Sequence, residues 1–171
     1  MSDEIFLVDY DPDWVRQFNE EALRLRELLP STLLLRVDHF GSTAISGLTA
    51  KPIIDILVGV TSLEKARAEA VRPLESIGYA FWYDNPDPDH LFFVKGLPPA
   101  PHRTHHVHMV TAESSFYERL LFRDYLRNYP EEAQRYGDLK KELAARFAQD
   151  REAYTQAKSD FILDIMEKAK P

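Results

Sequence analysis

The chain has 171 residues, no cysteine and a formal net charge of −7, which suits one domain with its own core and excludes disulfides, thiolate metal sites and a cysteine nucleophile. The acidic balance disfavours general nucleic-acid binding, although a small anionic ligand that meets a local field is still compatible with it. The start, MSDEIFLVDY, is unlike a secretory signal and no apolar stretch approaches the ~20 residues that span a bilayer, so the expectation is a cytoplasmic protein with no membrane partner.

Phe6-Leu7-Val8 is a short apolar run suited to an edge strand or a packing arm. Asp11 and Pro12 open a helix, and Trp14, Phe18, Ala22, Leu25 and Leu29 give it an apolar stripe before Pro30 stops it. Residues 33–40 and 53–60 are apolar runs with enough β-branched side chains to predict strands, separated by the small-residue turn GSTAISGL. Thr61-Ser62-Leu63-Glu64 has the pattern of a capping box, opening a helix that ends at Gly78 and that Pro73 is expected to kink or split. Residues 79–83, 90–95 and 104–110 predict three more strands, joined by loops at 84–89 and 96–103 whose prolines argue for exposure. Ser115 and Glu118 form a second capping box, for a helix carrying Phe116, Leu120, Leu121 and Tyr125. From residue 131 to 168 the pattern is helical with no internal proline. The sum is a single α+β domain over residues 1–171: a mixed β-sheet of about five strands with flanking helices and a helical C-terminal third.

Three clusters carry chemistry. His39-Phe40-Gly41-Ser42-Thr43 directly follows a predicted strand; its glycine, hydroxyls and N–H groups suit phosphate oxygens, although such turns are often only turns. Asp55 is the one charge in an apolar strand, where a carboxylate needs a cation, a metal ion or N–H partners; Lys51 or an arginine would serve as its ion pair. In Arg103-Thr104-His105-His106-Val107-His108 strand alternation points His106 and His108 to one face, where both reach one metal ion or phosphate, or make ordinary hydrogen bonds. On the C-terminal helices, Tyr136, Lys140 and Leu143 share one face, and Asp150, Tyr154 and Lys158 another. Both read as solvated charge with aromatic packing, unless the tail brings a lysine to a ligand.

Taken together, HFGSTAISGLTAKPIIDILVGV (39–60), THHVHMV (104–110), RDYLRNYP (123–130), YGDLKKELA (136–144) and DREAYTQAKSDFI (150–162) resemble the GrpB family over nearly the whole chain. The resemblance implies a nucleotidyltransferase-like fold. In that superfamily a Gly-Ser turn precedes a strand with two carboxylates one residue apart, a third carboxylate follows on a later strand, and two Mg²⁺ ions bridge a triphosphate. Gly41 and Ser42 match the turn and Asp55 matches the second carboxylate; the first falls at Ile53, and His106 or His108 stands for the third. The implied catalytic and metal-binding set is Asp55, His106 and His108, and the implied phosphate-binding set is Gly41, Ser42, Thr43, Lys51 and Arg103. One Asp with histidines suits a single softer ion such as Mn²⁺ or Zn²⁺ better than paired Mg²⁺. The expected function is metal-dependent nucleotidyl or phosphoryl transfer on a small anionic or nucleotide-like ligand. The alternative is a non-catalytic nucleotide- or coenzyme-binding protein, or an interaction module, on the same fold. GrpB-like domains also occur fused to dephospho-coenzyme A kinase, which makes coenzyme A metabolites candidate ligands.

Overall fold

Runs of aliphatic, β-branched and aromatic side chains pair into one sheet in the computed structural model, which describes residues 5–170. The strands are β1 (Leu34–Phe40), β2 (Ile54–Val60), β3 (Tyr79–Phe81), β4 (Leu91–Lys95) and β5 (His105–Thr111). Their order across the sheet is β1-β2-β5-β4-β3; β2 and β5 are parallel and the other pairs antiparallel. The helices are α1 (Asp13–Leu28), α2 (Leu63–Ser76), α3 (Glu118–Asn128), α4 (Pro130–Arg146), α5 (Arg151–Gln156) and α6 (Ser159–Ala169). This is the mixed five-stranded sheet with flanking helices and a helical C-terminal third that the sequence predicts.

Contacts divide the chain into two compact units: a sheet unit of residues 13–40 and 53–116, and a helical unit of residues 5–12, 41–52 and 117–170. In the sheet unit α1 and α2 cover one face of the sheet. The Phe18 ring lies 4.7 Å from His39, and Arg67 of α2 sits 5.1 Å from the Phe81 ring. Trp14, Ala22 and Leu25 of α1 and Ala66, Ala70 and Leu74 of α2 are buried, as are Ile54, Ile56, Phe93 and Val107 on that face of the sheet. One charged group enters this core: Glu21, 2% exposed, accepts hydrogen bonds from Lys95 Nζ (2.8 Å) and Tyr79 OH (3.0 Å). Burial raises the Glu21 pKa, but the Lys95 ammonium more than offsets this and holds the group ionised.

In the helical unit the chain turns at Gly41, whose φ of 71° is a conformation that side chains disfavour, into a 3-10 turn over Ser42–Ala44. Ile45 and Leu48 pack with Leu126, Tyr136 and Ile165, while Ile5, Leu143 and Tyr154 form a second cluster. The N-terminal apolar run is a packing arm with a single bridge: Val8 and Ala50 exchange backbone hydrogen bonds of 2.9 and 3.0 Å.

Four local expectations change. Pro73 does not split α2, because Ala66, Ala70 and Leu74 keep one buried face running past it. The cap of that helix is Ser62, which accepts from Lys65 N, rather than Thr61. Ser115 caps nothing there: residues 115–117 form a 3-10 turn, and it is Ser114 Oγ that accepts from Phe116 N. The stretch 131–168 is three helices, broken where the Asp150 carboxylate caps α5 by accepting from Ala153 N at 3.0 Å.

Phe93, fully buried at the middle of β4, anchors this packing. Phe93→Ala should lose about 3–5 kcal/mol in urea unfolding, whereas Leu163→Ala, at a position 62% exposed, should stay within about 0.5 kcal/mol of the parent.

Candidate functional site

Strand pairing decides which side chains meet. The parallel register sets Asp55 beside His106 and Leu57 beside His108; across the other pairings Phe40 stands beside Asp55 and Phe92 beside His108. Asp55, His106 and His108 therefore share the sheet face opposite the one α1 and α2 cover, while His105 lies on the helix-covered face. His106 Nδ1 is 3.1 Å from Asp55 Oδ1 and His108 Nε2 is 3.9 Å from the same oxygen. One ligand atom from each of the three residues lies within 4.8 Å of the others. The partners of Asp55 are thus histidines, not the lysine or arginine that the sequence offers as alternatives.

Burial alone would raise the Asp55 pKa; the imidazoles of His106 and His108 lower it by more, and the carboxylate stays ionised. The rings of Phe40, Phe92 and Phe116 lie 5.1, 4.7 and 5.2 Å from His108, and Phe92 also packs edge-on against His106 at 5.1 Å. These apolar rings fix the imidazole planes and limit water on one side of the cluster. His90, which the sequence reading did not place in the site, joins it: His90 Nε2 is 2.8 Å from His108 Nδ1. The sequence signal was present in the crowding of histidines between residues 90 and 108, but the strand predicted over 90–95 begins in the structure at Leu91, and nothing in the sequence pairs that segment with His108.

One carboxylate oxygen with two imidazole nitrogens is a donor set for a single borderline cation rather than for Mg²⁺. Ligands around a tetrahedral zinc ion stand about 3.3 Å apart, so the spacing at Asp55–His106 already fits and His108 needs a small inward movement. His106 Nε2 is buried with no hydrogen-bond partner among the described residues. Ligation through Nδ1 would place the ring proton on that nitrogen, turning a buried acceptor without a partner into a buried donor without one. The set fits a metal ion.

The phosphate-binding candidates divide between the two units. Arg103 precedes β5 in the sheet unit. Gly41, Ser42, Thr43 and Lys51 belong to the helical unit, where Thr43 is buried and Ser42 meets an unanticipated partner. Lys140, 2% exposed on α4, donates to Ser42 Oγ at 3.0 Å and to the carbonyl of Thr49, with its ammonium 4.8 Å from the Tyr136 ring. Lys51 and Lys158 lie 5.1 and 4.2 Å from the ring of buried Tyr154. Burial, and then the charges of Lys158 and Lys51, push the Lys140 pKa down to about 7. The face carrying Tyr136, Lys140 and Leu143 is therefore core, not the solvated charge the spacing suggested. A separate cleft of about 440 Å³ in the helical unit runs between Gly47–Thr49 and Gly137 of α4, and none of the predicted site residues lines it.

The family model for the GrpB protein matches residues 4–168. The chain belongs to the GrpB family. A UPF0157 protein of Pseudomonas aeruginosa is 46% identical over 171 residues, covering 98% of this chain and 68% of the relative. The dephospho-CoA kinase of Mycobacterium tuberculosis is 32% identical over 95% of this chain, which spans 45% of that enzyme. The crystal structure of the conserved protein GrpB from Enterococcus faecalis matches with a TM-score of 0.86 and 38% identity over 96% of both chains. At 12% identity, Cid1 in complex with its short product ApU matches 77% of this chain and 40% of its own with a TM-score of 0.50, a likeness of fold. The GrpB chain described here thus shares its fold with the Enterococcus faecalis protein and, more distantly, with Cid1.

The Lys140 pKa carries a sign. A folded value of about 7 lies below the ordinary 10.5, so between them the unfolded chain binds the extra proton and folding gains as pH rises. The unfolding free energy of the parent relative to Lys140→Met should grow by about 1.4 kcal/mol per pH unit from about pH 7.5 to about pH 9. Paired urea titrations read this difference, and a flat one would show Lys140 charged throughout.

Proposed function

We propose that this GrpB-family chain is a metal-dependent protein for nucleotidyl or phosphoryl transfer on a small, phosphate-bearing, nucleotide-like ligand. One divalent ion of the Mn²⁺ or Zn²⁺ kind would be held by Asp55, His106 and His108. The observation that carries the reading is the convergence of three ligand atoms within 4.8 Å on a nucleotidyltransferase-like sheet. Such an ion would polarise a phosphoryl oxygen. The protein's own part is to keep Asp55 ionised, to hold the two imidazoles with aromatic neighbours and to restrict water beside them. Arg103, in the same unit as that centre, is a cation for the ligand's charge, and Gly41, Ser42, Thr43 and Lys51 of the helical unit are phosphate-binding candidates by the family resemblance alone.

One feature favours a second reading, a non-catalytic binder of the same ligand class. The position that carries the first carboxylate in nucleotidyltransferases is Ile53, and a single carboxylate leaves little to hold the paired ions of the usual reaction. Because the relatives include dephospho-CoA kinases, coenzyme A belongs in the ligand panel.

Thermal unfolding of metal-stripped protein against Mn²⁺, Zn²⁺ and Mg²⁺, each with and without nucleoside triphosphates and coenzyme A, tests both. A ligand near 100 times its Kd adds about 2.7 kcal/mol, and the expected shift for Mn²⁺ or Zn²⁺ is on the order of 5–10 °C. The shift should vanish in Asp55→Ala, with the fold of that variant retained by circular dichroism. Release of pyrophosphate or phosphate in the same mixtures identifies transfer, and a shift without release identifies a binder. No shift with any ion would overturn the metal centre.

A further inference from the structure

The loop between β3 and β4 is unusually well tied for a segment with two prolines, and its bonds converge on His90. Asn85 Nδ2 donates to His90 O at 2.8 Å, Asn85 Oδ1 accepts from Asp87 N at 3.1 Å, and Asp87 Oδ1 accepts from Asp89 N at 3.0 Å. The His90 ring then meets His108 with 2.8 Å between Nε2 and Nδ1, ring centroids 4.9 Å apart and planes 5° from parallel. So short an N···N distance at that centroid separation places the rings edge to edge in nearly one plane. It is the geometry of an aligned N–H···N hydrogen bond, not of face-to-face stacking. One proton lies between two nitrogens, so the protonation of His90 Nε2 and of His108 Nδ1 are mutually exclusive in the neutral rings.

We propose that His90, held by Asn85 and backed by Asp87, is a positioning residue that sets which nitrogen of His108 is available to a divalent ion. The inference rests on the metal centre at Asp55, His106 and His108 proposed above. In the ion-free protein the Asp55 carboxylate, 3.9 Å from His108 Nε2, favours a proton on that nitrogen. His108 Nδ1 is then bare and accepts from His90 Nε2–H, while His90 Nδ1 faces the Asn85 amide at 3.5 Å. For His108 Nε2 to ligate, its proton must sit on Nδ1, which then donates to a bare His90 Nε2. The His90 proton then sits on Nδ1, on the side where Asp87 Oδ2 stands 3.9 Å away, and the weak 3.5 Å contact with the Asn85 amide donor is given up. Each neutral ring carries one proton before and after, so the pair changes tautomer together with no proton gained or lost. Asp87 and His90 thus extend behind His108 the carboxylate–imidazole support that orients histidine ligands in metal sites. A nitrogen already engaged with His108 also places His90 behind the ligand, not among the ligands.

The test uses the full chain, Zn²⁺ as the probe, and the variants His90→Phe and His90→Gln. Phe keeps a planar ring with no acceptor; Gln restores an oxygen that accepts from His108 Nδ1–H. His90→Phe should bind Zn²⁺ about 10–100-fold more weakly, and His90→Gln should recover most of the loss. Long-range ¹H–¹⁵N correlation of the imidazoles gives a readout that lost packing would not move. His108 of the unaltered protein should carry its proton on Nε2 without zinc and on Nδ1 with it, and His90→Phe should show mixed tautomers without zinc. Equal zinc affinity in His90→Phe, or a His108 tautomer indifferent to that change, overturns the role of His90 and leaves the metal centre standing. Failure of the unaltered protein to bind Zn²⁺ overturns both.

Discussion

The parallel pairing of β2 with β5 is the constraint on which the candidate site depends. It sets Asp55 beside His106, and the two-residue repeat of the pleat then brings His108 to the same face. A slip of one residue in that register would send both histidines to the face that α1 and α2 cover. The register is held from the other side of the sheet, where Ile54, Ile56, Val107 and Met109 are buried to within 1%. An apolar core on one face therefore specifies the position of a polar cluster on the other, and the same alternation isolates His105 from the site two atoms of backbone away.

Charges that leave water here are treated in different ways. Glu21 is matched by Lys95 and Tyr79 and stays ionised. Asp55 is matched by imidazoles, which are weak cations at neutral pH and can instead surrender lone pairs to an ion. Lys140 has dipoles and an aromatic face for neighbours, and the charged groups that act on it are cations. Glu21 and Asp55 are both held in their charged forms, whereas Lys140 is pushed away from its own.

Much of this was legible in the sequence because it follows from short-range rules. The strands at 34–40, 54–60 and 105–111 announce themselves by composition, and the shared face of His106 and His108 is strand alternation alone. Gly41 could be read as a turn because its neighbours switch abruptly from strand-forming to small residues. What stayed hidden depends on which distant groups become neighbours. Lys140 looked like surface because a lysine on a helix is normally solvated; nothing local says that the Ser42 hydroxyl and the Thr49 carbonyl will be there to receive it. His90 sits at the end of a proline-containing loop, whose path is set by Asn85 and Asp87 through bonds that have no periodicity. The break at 147–150 escaped because a helix pattern without proline, its one glycine (Gly137) lying inside α4, does not show where an aspartate side chain competes for the backbone.

The helical unit is assembled from three stretches of chain, and this has a consequence for the order of synthesis. All five strands of the sheet have been synthesised once Thr111 has been added. Residues 41–52, made before most of that sheet, carry Ile45 and Leu48, whose packing partners include Tyr136 and Ile165. Those two apolar side chains therefore wait through more than half of translation for their neighbours, in a contact order that slows folding and exposes a short sticky segment in the nascent chain. Neither unit is one continuous segment, so a truncation after residue 116 keeps every residue of the sheet unit but leaves Ile45 and Leu48 without Leu126, Tyr136 and Ile165.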